Sequence, residues 1–176
     1  NKTASNNPFF NVDAPHNWSV YHDLNHTFHK TRSYIKDVLK FWIEEYNIDG
    51  YRFDLTKGIV QNPSTYDAGG YSSQRIGFLK EYADAIRAAE GGEDAYIIFE
   101  HFCDGSEENE LAAYKEIMLW RNANEASMES GMGWSGKDNF SHISAYGRVG
   151  FAESHDEERV AYKVKTYGQA PLKNGY

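Results

Sequence analysis

Three short stretches carry side chains that can move protons or form covalent bonds. In Tyr51-Arg52-Phe53-Asp54-Leu55 the odd positions are apolar and the even ones oppositely charged. Side chains two apart on a strand share a face, so Arg52 and Asp54 point the same way, inward, while Tyr51, Phe53 and Leu55 face a helix layer. A charge pair in such a place is costly to desolvate unless hydrogen-bonded. That leaves two readings, a structural ion pair or a reactive carboxylate beside its cation. In Tyr96-Ile97-Ile98-Phe99-Glu100-His101, Glu100 interrupts an apolar run toward its C-terminal end. Burial penalises the ionised form of a carboxylate, which suits a general acid, unless Glu100 merely meets solvent at a sheet edge. Ser154-His155-Asp156 ends a third stretch, where Asp156 either works beside His155 or caps the helix that follows. Two carboxylates about 5–5.5 Å apart are what retaining glycosidic cleavage needs, one as nucleophile and one as acid, then base.

The elements around these residues must place them. Ile35, Val38, Leu39, Trp42 and Tyr46 recur at helical spacing, which predicts a helix from about Thr27 that stops at Asn47. Residues 48–55 read as a strand, followed by a loop with Asn62-Pro63 and Gly69-Gly70. A second helix is predicted from Ser73 to Ala89, ended by Gly91-Gly92. The run 95–102 reads as a strand buried on both faces. A helix over 108–115, a short strand over 117–120 and a Gly/Ser/Met-rich loop over 123–140 follow. A strand over 148–153 and a helix over 157–167 complete the pattern. Such alternation predicts an α/β fold with right-handed crossovers and a parallel sheet. Asp54 and Glu100 lie 46 residues apart, and Glu100 and Asp156 lie 56 apart. A closed eight-fold barrel averages about 31 residues per β/α unit. The first gap fits one unit with a long loop, and the second fits two units. Four strands, half a barrel, are expected.

Composition narrows the function classes. The 176 residues carry a net charge of −8 and a pI near 5.3, which disfavours gripping a polyphosphate backbone, so no nucleic-acid partner is expected. Aromatic residues make up 15% of the chain, which argues against disorder. No apolar run approaches the roughly 20 residues that cross a bilayer, so no membrane partner is expected. One cysteine, Cys103, rules out an internal disulfide and leaves the compartment open between secreted or periplasmic and cytoplasmic. The chain begins Asn1-Lys2-Thr3, without Met, and reads as a piece of something longer.

Gly50-Tyr51-Arg52-Phe53-Asp54-Leu55-Thr56-Lys57 resembles the second motif of the α-amylase family of glycoside hydrolases. Phe99-Glu100 resembles the third motif, and Phe151-Ala152-Glu153-Ser154-His155-Asp156 the fourth, in the same order and at similar spacing. The resemblance implies a segment of a (β/α)₈ TIM barrel, residues 1–176 covering about strands 4 to 7. The first three strands and the last would lie outside it. It further implies Asp54 as nucleophile, Glu100 as acid and base, and Asp156 as the carboxylate that holds the distorted sugar. Arg52 would keep its cation beside Asp54, His155 would donate to the reacting sugar, and Lys57 would contact the sugar on the leaving-group side. The implied substrate is an α-1,4-glucan such as starch, glycogen or a maltooligosaccharide. The implied mechanism is a double displacement.

Two departures bear on this. Gly58 stands where the family has His, a place tied to calcium through its backbone. With the first motif absent as well, no cofactor is expected of this segment, and calcium is left to the parent enzyme. Ser154 stands where the family has Asn, so Ser154-His155-Asp156-Glu157 resembles the version in α-glucan branching enzymes. A transglycosylase is therefore the rival enzyme, and an inert glucan-binding fragment the rival from another class. Unpaired strand edges imply that the isolated segment self-associates and is inactive. Of the aromatics that could stack on sugar, Tyr66, Tyr71 and Trp134 sit on loops at the expected mouth, whereas Trp18 and Trp120 do not. Cys103 reads as a buried small side chain, and His22, His26, His29 and His142 lack metal-ligand spacing.

Overall fold

The computed structural model describes residues 3–18 and 21–170. Its elements are α1 (His29–Tyr46), β1 (Gly50–Phe53), α2 (Ser73–Arg87), β2 (Tyr96–Phe99) and α3 (Gly105–Ala112). They continue with β3 (Met118–Asn122), α4 (Asn124–Met132), β4 (Arg148–Phe151) and α5 (Val160–Tyr167). Short 3₁₀ turns occupy Thr56–Ile59 and Ser141–Ile143. The strands lie in the order β1-β2-β3-β4, and β1–β2 and β2–β3 pair in parallel. Strand order that follows chain order, with a helix between successive strands, is what consecutive units of a β/α barrel produce. The fold is α/β, as the alternation predicts.

The chain divides between Leu119 and Trp120 into two compact units. In the first, α1 stops where predicted. Asn47 adopts the left-handed conformation (φ 52°) and its amide still donates to Ile43 O at 2.9 Å. The N-cap of α2 is Ser72, whose hydroxyl accepts from the Arg75 amide at 3.3 Å. That helix ends at Arg87, four residues before Gly91. Ile97 and Phe99 of β2 and Leu119 of β3 are buried with Leu39 and Ile43 of α1, Leu79 and Ile86 of α2, and Leu111 of α3. Tyr51 and Phe53 pack against this core, Phe53 meeting Phe99 edge-on at 5.1 Å. The alternation predicted for β1 is therefore correct, with Arg52 on the opposite face.

The second unit contains two corrections. Residues 124–132, expected within a loop, form α4. Only Asn124 and Ala126 of α4 are buried, so no apolar stripe marks it. Its Gly131, which reads as a loop signal, marks a close approach, because a Cβ there would lie 2.8 Å from a Val164 methyl of α5. The predicted start of α5 also shifts. It begins at Val160, whose amide donates to Glu153 at 2.7 Å, so Glu153 rather than Asp156 caps it.

Candidate functional site

Asp54 follows the last residue of β1 and Glu100 the last residue of β2, so parallel pairing puts both at the C-terminal ends of neighbouring strands. One guanidinium grips both. Arg52 Nη1 pairs with Asp54 Oδ1, and Nη2 lies 2.9 Å from Glu100 Oε1. Their exposures differ sharply, with the Asp54 side chain 66% exposed and that of Glu100 8%. The carboxylate open to attack a ligand and the carboxylate shielded from water thus share a cation.

The turn after β1 completes the grip on Glu100. Leu55 takes a left-handed conformation (φ 45°), unusual for a residue with a Cβ, and points its amide at Glu100 Oε2, 2.8 Å away. The Glu100 amide donates to Phe53 O at 3.0 Å, and its carbonyl accepts from the Thr56 amide at 2.9 Å. Glu100 is buried as expected, with the Leu55 amide donating to Oε2 and the Arg52 guanidinium within ion-pair range of Oε1.

Beneath this turn lies a cluster that sequence reasoning missed. Thr56, Arg75, His101 and Glu107 are all fully buried. Arg75 makes a two-pronged pair with Glu107, at 2.7 and 2.8 Å. His101 Nε2 lies 2.9 Å from Glu107 Oε1, and His101 Nδ1 lies 2.9 Å from the Thr56 hydroxyl. Burial alone would raise the Glu107 carboxyl, but the His101 and Arg75 donors outweigh it and hold it down at about 2. Burial holds His101 below the ordinary imidazole range despite Glu107 beside it. A signal existed. Arg75 falls on the α2 face that carries Ile76 and Leu79, where a charge needs a partner, though the sequence does not say which acid supplies it.

Lys57 leaves the same turn with its ammonium 4.9 Å from the centre of the Trp18 ring. Trp18, set aside on sequence grounds, therefore stands beside a site residue. Its indole N–H donates to Asp67 O at 2.6 Å, and the residue is 40% exposed. Gly58 O lies 2.6 Å from Nε2 of the buried His16. Nδ1 of that ring accepts from the Trp18 amide at 3.2 Å, so Nε2 carries the hydrogen and donates. A Cβ at Gly58 would approach the His16 ring to 3.3 Å, a tight contact. Of the other aromatics, Tyr66, Tyr71 and Trp134 are exposed, and Trp120 stacks on Phe151 at 4.5 Å. Burial pushes the Cys103 thiol up to about 12, so it is no nucleophile near neutral pH.

The second unit holds the remaining predicted residues. His155 and Asp156 are both exposed, with His155 Nε2 3.5 Å from Asp156 Oδ1. Their turn is braced by its neighbours. The Asp156 amide donates to Ser154 Oγ at 3.2 Å, Ser154 donates to Glu157, and Glu157 accepts from Asn122. Buried Asn124 fastens both ends of the turn, donating to Ala152 O at 2.7 Å and Glu158 O at 3.2 Å.

Among the described residues, no three or more His, Cys, Asp or Glu side chains gather as a metal site. No helix among them is long and apolar enough to cross a membrane. The family model for the alpha amylase catalytic domain matches residues 16–170. No curated protein matches the chain.

Proposed function

The chain belongs to the alpha-amylase catalytic-domain family, and from that premise we propose that it carries the catalytic centre of a retaining enzyme acting on α-1,4-linked glucans. The family is one of glycoside hydrolases and related activities. The observation that carries the finer reading is the shared grip of Arg52 on an exposed Asp54 and a buried Glu100. Asp54 attacks the anomeric carbon while Glu100 gives its proton to the departing glycosidic oxygen. A glycosyl ester on Asp54 results. Glu100, now ionised, takes a proton from the incoming water, whose oxygen displaces Asp54 and restores both groups. His155 and Asp156 hold the hydroxyls of the distorted sugar, and Lys57 holds the sugar on the leaving side. Any calcium, which takes six to eight oxygen ligands, is assigned to the parent enzyme. The activity belongs to the complete barrel, and the 176 residues alone are inert and associate through their strand edges.

Ser154-His155-Asp156-Glu157, which resembles the version in α-glucan branching enzymes, favours one second reading, transfer to a sugar hydroxyl in place of water. Both readings predict that a fluorinated glycosyl donor labels Asp54 in the intact enzyme, and label on Glu100 would overturn them. Incubation with a linear glucan separates the two. Shortened chains with new reducing ends mean hydrolysis, and new α-1,6 branches mean transfer.

A further inference from the structure

The Thr56 hydroxyl is placed between two acceptors, 2.8 Å from the Glu100 carbonyl oxygen and 2.9 Å from His101 Nδ1. It has one hydrogen to give. The choice is made behind it. Glu107, ionised and clamped by Arg75, accepts from His101 Nε2, so the neutral ring carries its hydrogen there and leaves Nδ1 bare. The hydroxyl hydrogen goes to Nδ1, and the Glu100 carbonyl is served by the Thr56 amide at 2.9 Å. A β-branched side chain is stiff about χ1, so a hydroxyl fixed by His101 also fixes the backbone of Thr56. That backbone continues directly from Leu55, whose amide holds Glu100 Oε2. Arg75 closes the circuit from the other side, donating to Lys57 O at 3.0 Å.

We propose that Thr56, held by His101 and Glu107, is a positioning residue for the Glu100 carboxylate, setting where it stands relative to Asp54. The inference rests on the reading of Glu100 as the proton donor. Thr56 touches no reacting atom. It acts by keeping the Leu55 amide and the Glu100 backbone in register, and within glycosylation its loss should appear only where the leaving group needs a proton. Cleavage of a sugar–sugar bond needs that proton, because an alkoxide leaves poorly. Departure of fluoride from an α-maltosyl fluoride does not.

The test compares Thr56→Val with Thr56→Ser in the intact enzyme on maltotetraose and on α-maltosyl fluoride. Valine keeps the shape and loses the hydroxyl, and serine keeps the hydroxyl. Expected for Thr56→Val is a fall in kcat/KM, which reads the glycosylation step, on maltotetraose on the order of ten- to a hundredfold, with a change of less than about twofold in kcat/KM on the fluoride. Thr56→Ser should stay near wild type on both. If Thr56→Val does not fold, Thr56→Ala is read by the same ratio. Equal losses on the two substrates, or no loss on either, overturn the proposal while the glucan reading stands. A wild-type enzyme that turns over neither substrate overturns the glucan reading itself.

Discussion

Arg52 divides its fork between two acids that differ in exposure, and this sets what a conservative change would do. A lysine ammonium is a point charge that cannot reproduce two separately aimed N–H groups. Arg52→Lys should therefore lower kcat/KM on a glucan by on the order of a hundredfold, with far-ultraviolet circular dichroism unchanged. Wild-type kcat/KM in that variant would show that the fork is not needed. The sequence made part of this legible, since the alternation in residues 51–55 puts Arg52 and Asp54 on one face. The second prong, to Glu100, depends on parallel pairing of Arg52 with Ile98, which no local pattern states. Left-handed Leu55 was illegible for a different reason, because propensity scales assign that conformation to Gly and Asn.

The pairing of β1 with β2 has a steric condition at its first rung. Gly50 pairs with Tyr96 at φ 149°, and a Cβ there would stand 2.2 Å from the Tyr96 carbonyl oxygen, inside any permitted contact. Gly50→Ala should thus destabilise the protein by more than about 2 kcal/mol. Denaturant titration measures this, and a midpoint equal to wild type would show that the strands separate without cost. Helices α1 and α2 were legible because each buries a stripe at helical spacing, and α1 also stops at a left-handed Asn47. Helix α4 was not, since it buries almost nothing apolar and its glycine serves packing against α5. The start of α5 was misplaced because Glu153 caps it from seven residues upstream, a reach that the usual N-cap pattern does not cover.

For the whole molecule, the alternation of elements and the spacing of the three acids were enough to read an α/β fold with four strands. The division inside β3 was not legible, because no linker composition marks Leu119-Trp120. The buried titratable groups predict how the protein meets acid. His26 is buried with Nδ1 2.6 Å from the Tyr82 hydroxyl, and burial, helped by Arg32, lowers it to about 4 from 6.5. The unfolded chain takes that proton first, so stability falls as pH drops from 6.5 toward 4. Glu107, held at about 2, adds a second loss as pH falls from 4.5 toward 2. Each loss amounts to at most about 3 kcal/mol, while Asp23, raised by burial, opposes them. Denaturant midpoints at pH 7, 5 and 3 should decline in that order, and His26→Gln should flatten the first step. A flat wild-type profile down to pH 4 would show that His26 is not held neutral. Arg75 imposes a constraint of another kind. All five of its N–H groups are spoken for, two by Glu107 and three by the carbonyls of Lys57, Ala68 and Gly70. Both ends of the stretch between β1 and α2 are pinned to one side chain, so neither can loosen while the other holds. That stretch cannot open and close over a ligand by hinging at its ends. On the proposed reading, a glucan at Asp54 and Glu100 would meet it as a fixed surface.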